Sequence, residues 1–146
     1  MALDDAHARP AATSDATVAA LGKLSEALEV VEEARGHLYA FHRRCGTADL
    51  TLGEAVDQLR EAGHGDLADR IATDLVGRNV LAGRWSFQVV EEYDDGYYTA
   101  FREHERAARD ALMEGRRHVF EAEMKDDRRT HGRPGHAATP QDSGLG

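Results

Sequence analysis

Leu21, Leu24, Leu28, Val31, Ala34, Leu38, Phe41 and Cys45 follow one another at spacings of three and four residues. At about 3.6 residues per turn, that spacing lays them along one face of a helix as a single apolar seam. The seam predicts a long helix from about Asp15 to Arg44. Gly46 follows the last seam residue, where glycine can take the left-handed conformation that closes helices.

A second long period opens at Phe87. Projected at about 100° per residue, Val90, Tyr93, Tyr97, Phe101, His104, Ala108, Leu112, Gly115, Val119 and Ala122 share one face. This predicts a helix as far as Arg128, which unbroken would measure about 60 Å. A compact domain of this size spans about 35–40 Å. The helix therefore kinks, with Gly96 and Gly115 as the candidate points, or it projects and packs against a second subunit.

Between the two long helices lies a short helical hairpin. Thr51 and Glu54 have capping-box spacing, and Leu52, Val56 and Leu59 form a stripe. The stretch Gly63–His64–Gly65 breaks the period. Asp66 then caps a second short helix carrying Leu67, Ile71 and Leu75. Val80, Leu81, Trp85 and Phe87 follow in a loop whose apolar load predicts that it packs down over one end of the helices. The expected fold is all-α: a helical bundle of two long helices plus the hairpin, one domain over residues 15–129. The polar ends, 1–14 and 130–146, are expected as flexible, disordered tails.

Leu, Ile, Val and Phe together supply roughly 27 of the 146 residues, near the range where a chain struggles to bury enough apolar surface alone. This points to burial against a second copy of the chain. A net charge of −9 excludes nonspecific binding to nucleic acid, which needs lysine and arginine to displace phosphate counterions. Cys45 is the only cysteine, so no internal disulfide and no cysteine zinc cluster can form. With no signal-like start and no membrane-length apolar run, a cytoplasmic location is expected.

The chemistry-bearing residues cluster on the long helices. His104 falls inside the last apolar seam, with Asp94 and Tyr97 near it, while His37 and His42 flank the first seam. These five could hold iron, zinc or manganese. The Glu-x-x-His spacing of carboxylate-bridged metal bundles is absent, however: Glu33 precedes His37 by four, as Glu114 precedes His118. No cofactor is required by any motif, and no phosphate loop, serine elbow or protease histidine pair is present. The leading expectation is a non-catalytic homodimeric module for protein–protein interaction, using Leu112, Val119 and Trp85. The first alternative is the metal or small-ligand bundle. The second is an acidic adaptor that captures a basic protein through Glu91, Glu92 and Asp95.

Overall fold

The computed structural model describes residues 3–139, which contain no strand. In order come α1 (Asp15–Glu61), α2 (Gly65–Asp74), α3 (Ser86–Tyr93), a π-helical segment (Asp94–Tyr98), α4 (Thr99–Met113) and α5 (Val119–Arg128). The all-α expectation holds. No helix among the described residues is long and apolar enough to cross a membrane.

The chain divides into two compact units. The first takes the described residues up to Val31 and those from Thr99 on; the second is Glu32–Tyr98. Helix α1 does not stop at Gly46 but runs 47 residues, absorbing what was expected as the first arm of the hairpin. Glycine permits a left-handed helix end without imposing one. The Thr51–Glu54 capping box thus lies inside a helix, and Cys45 is mid-helix rather than at a C-terminus. The turn that does end α1 is at Gly63, whose φ is +89°.

In the first unit, Ser14 starts α1 by accepting the Thr17 backbone N–H on its hydroxyl at 3.1 Å. Val18 of α1, Met113 of α4 and Val119 of α5 form the buried core, with Leu21 packed against it. Val119, expected to face a second subunit, is therefore spent inside its own chain. Between α4 and α5 the backbone turns through Glu114, Gly115 and His118, with φ of +53°, +74° and +57°. Of the two candidate kink points, Gly115 lies at this break. At Gly22 a Cβ would stand 2.7 Å from Phe120, so glycine is what lets α5 approach α1.

Residues 1–2 and 140–146 of the expected tails lie outside the described residues. The rest of the N-terminal stretch is tied down: Arg9 donates to both carboxylate oxygens of Glu123 at 2.7 and 2.8 Å and to Asp15 at 2.6 Å. Arg116 adds a bond to the Ala8 carbonyl at 2.7 Å. At the C-terminal side, Arg129 is buried and donates to Asp126 and to the His136 carbonyl.

In the second unit, α2 packs through Ala68, which is fully buried, and not through Leu67 and Leu75, which are exposed. A short hairpin brings its helices close, so the small side chain takes the inner position. Arg60 and Asp69 form an ion pair across the hairpin.

The π segment changes which residues face inward. A π turn closes its hydrogen bonds over one more residue than an α turn, so every position after it is rotated by about one residue. Up to Val90 the expected seam is right. From the last residue of the segment to the end of α4 the buried residues are Tyr98, Glu105 and Met113, each one place after the expected Tyr97, His104 and Leu112, and only past the α4–α5 turn is an expected seam residue, Val119, buried again. Gly96, a candidate kink, sits at its centre.

Candidate functional site

From Val31 to Leu59 the sheltered positions of α1 are Val31, Arg35, Leu38, His42, Cys45, Asp49, Leu52, Val56 and Leu59, with Gly53 beside them. They alternate by four and three residues without a slip. Ala34 and Phe41, assigned to this face by their apolar character, are exposed, and Arg35 and His42 take the inward positions. The polar residues are tolerated there because each has a partner on the returning chain.

Arg35, His42 and Asp49 lie seven residues apart, and within the second unit they make three successive bonds. Arg35 holds Asp94 through both oxygens at 2.7 and 3.1 Å. His42 Nδ1 lies 2.7 Å from Ser86 Oγ, and Asp49 accepts the Gly77 backbone N–H at 2.8 Å. The Arg35 guanidinium also lies over the rings of Tyr98 and Tyr39, at 4.6 and 5.0 Å from their centroids. Tyr98 donates its hydroxyl to Glu32 at 2.7 Å. Hydrogen bonding from Arg35 holds the Asp94 carboxyl below the usual carboxylate range, against the opposing effect of burial.

These bonds occupy two of the residues expected as metal ligands. Asp94 is committed to Arg35 and His42 to Ser86. His37 is exposed, Tyr97 is exposed and packs on the Tyr93 ring at 5.8 Å, and His104 is exposed in the first unit. Within the second unit, Asp94, His37 and His42 do not converge as a ligand set. The buried neighbour of His104 is Glu105, which takes Arg109 at 3.1 Å and the Ser25 hydroxyl at 3.2 Å. Glu105 and Arg109 thus form a sheltered pair within the first unit.

The loop from Val80 to Phe87 is the second notable feature. Leu81 and Arg84 close it with a backbone bridge, and the Trp85 backbone N–H donates to the Gln88 side-chain oxygen at 2.9 Å to start α3. It does not pack down. Trp85 is 55% exposed, Leu81 51% and Phe87 41%, and Trp85 meets Phe87 edge-on at 5.2 Å. Its one charged residue, Arg84, pairs with Glu92 of α3 at 3.0 Å, and Arg78 just before the loop pairs with Asp74 at 3.4 Å. Glu91 and Asp95 are exposed beyond it, and Leu112 is exposed on α4.

Among the described residues, metal-ligating side chains converge in one place that sequence reasoning missed. One ligand atom each from Glu29, His118 and Glu121 lies within 4.8 Å of the others, all in the first unit. His118 is marked in the sequence only by Glu114 four residues before it, Glu121 lies three residues on, and Glu29 is about ninety residues away with no pattern linking them. Comparison of the chain with protein-family models, curated proteins and solved structures finds no match.

Proposed function

We propose that this chain is a non-catalytic helical association module that pairs with a second copy of itself through the exposed apolar loop of its second unit. The observation that carries the reading is the exposure of Val80, Leu81, Trp85 and Phe87 within eight residues. Scattered exposed apolar residues are ordinary, but a tryptophan and its apolar neighbours gathered on one loop are typical of an association surface. Burying such a cluster removes apolar area from water at about 25 cal/mol per Å².

Charge favours a like partner over a basic one. Arg84 and Arg78 already neutralise Glu92 and Asp74 beside the loop, so its rim presents both signs. A two-fold interface lays one patch against its own copy, which a mixed-sign rim accommodates without net repulsion. The acidic-adaptor reading relies on Glu91, Glu92 and Asp95 as unspent negative charge, and one of the three is already paired.

Light-scattering mass on the native chain tests this. The subunit is 16.0 kDa, and twice that mass is expected at tens of micromolar. Trp85→Glu with Leu81→Glu should return the single-chain mass while keeping the helical circular dichroism. A native chain that runs at the single-chain mass would sink the proposal, as would a dimer indifferent to both substitutions.

A further inference from the structure

Glu29, His118 and Glu121 come from three places in the sequence order: mid-α1, the residue preceding α5, and the first turn of α5. Glu29 and His118 are exposed and Glu121 is half-buried. Among the described residues, no hydrogen bond or ion pair engages the side chain of any of the three, although other carboxylates of the same unit are taken: Glu26 by Lys23, Glu105 by Arg109, Glu123 by Arg9 and Glu114 by Arg116. Two carboxylates held this close without a cation repel each other, and a dication removes that repulsion.

We infer that Glu29, His118 and Glu121 form a binding site for one divalent transition-metal ion, Zn²⁺ being the fitting probe, which clamps the start of α5 to α1. Three atoms no more than 4.8 Å apart have a common point within about 2.8 Å of each. Zinc bonds to imidazole nitrogen and carboxylate oxygen at about 2.0–2.2 Å, so each side chain closes by less than about 1 Å. One nitrogen and two carboxylates suit zinc and its neighbours in the first transition row better than magnesium, which keeps its waters, or a soft thiolate-seeking ion.

The surroundings supply the rest of the shell. His118 is the residue at which α5 begins, yet its imidazole makes no capping bond, so the ring is uncommitted. A small cavity lined by His118, Glu121, Ser25 and Met113 adjoins the set and has room for about one water, the fourth ligand of a tetrahedral ion. Arg109 and Arg116 border that cavity, but Glu105 and Glu114 neutralise them. A bound ion would also fix the left-handed backbone at His118 that carries the chain out of the α4–α5 turn.

The site rests on the first unit alone and is independent of self-association by the loop. Zn²⁺ titrated by calorimetry into chelator-treated, untagged full chain should bind at one ion per chain, with a dissociation constant below about 10 μM. Glu29→Gln and His118→Asn should each weaken it at least about tenfold; asparagine is chosen because it tolerates the left-handed conformation. Exposed His104→Asn should leave it unchanged, and circular dichroism should show all three variants folded. Zinc should also raise hydrogen-exchange protection in α5, which ligation by histidines elsewhere would not do. No binding, or binding indifferent to Glu29→Gln and His118→Asn, overturns the site.

Discussion

The two units solve the same problem differently. The first closes α1, α4 and α5 around Val18, Met113 and Val119, a small apolar core drawn from three helices. The second aligns its returning chain on α1 through Arg35–Asp94, His42–Ser86 and Asp49–Gly77, while Leu81, Trp85 and Phe87 remain in water. Apolar burial supplies most folding free energy, whereas partly exposed polar pairs contribute about 1 kcal/mol or less each. Polar bonds are directional, however, and three of them at seven-residue intervals fix register. The first unit thus gathers Val18, Met113 and Val119 into one cluster, whereas the second, which also buries Val56, Ala68, Val90 and Tyr98, sets its register by polar bonds and gathers its exposed apolar side chains on one loop.

The contrast can be broken most forcefully in the core. Met113→Ala should cost about 2–3 kcal/mol in urea unfolding, whereas Leu112→Ala, one residue away and exposed, should stay within about 0.5 kcal/mol. Equal costs would mean that the π segment does not set the phase of α4. Next comes Glu105→Ala, expected to cost about 1–3 kcal/mol because it leaves a sheltered Arg109 without its carboxylate, with only the Gly115 carbonyl as acceptor, and His104→Ala should be near zero in the same assay.

The polar face should respond more weakly. Asp94→Asn is expected to cost about 1 kcal/mol at neutral pH. Its carboxyl is held below the unfolded value, so its contribution is present above about pH 4 and lost as pH falls through the folded value. Acid unfolding curves of Asp94→Asn and the native chain should therefore converge at low pH; a gap that persists there would remove Arg35–Asp94 from the account. Smallest of all, Ser86→Ala should lower stability by about 0.5–1 kcal/mol through its lost bond to His42.

Much of this was legible in the residues. The apolar spacing marked the helical stretches, though not the continuation of α1 past Gly46, and Gly63 marked the hairpin turn and Gly115 the break before α5, because those signals are local. What stayed hidden depended on partners distant in sequence. Choosing Phe41 over His42 for the inner face of α1 follows from ranking residues by apolarity, and only Ser86, 44 residues on, reverses the choice. The burial of Glu105 in place of His104 depends on a backbone irregularity that no side-chain pattern announces. Glu29 joins His118 and Glu121 only once α5 has folded back onto α1.

The π segment also has a consequence for ancestry. A wider turn is what a helix makes when one residue is inserted and the flanking packing is kept. A relative with a plain α turn at Asp94–Tyr98 would be one residue shorter there and would keep the same interior. Any alignment that matched the two without a gap would set His104 against a buried position and hide the correspondence of Glu105. A one-residue deletion in such an alignment, placed at Gly96, would thus be the mark of descent from a common fold, and a substitution table alone would miss it.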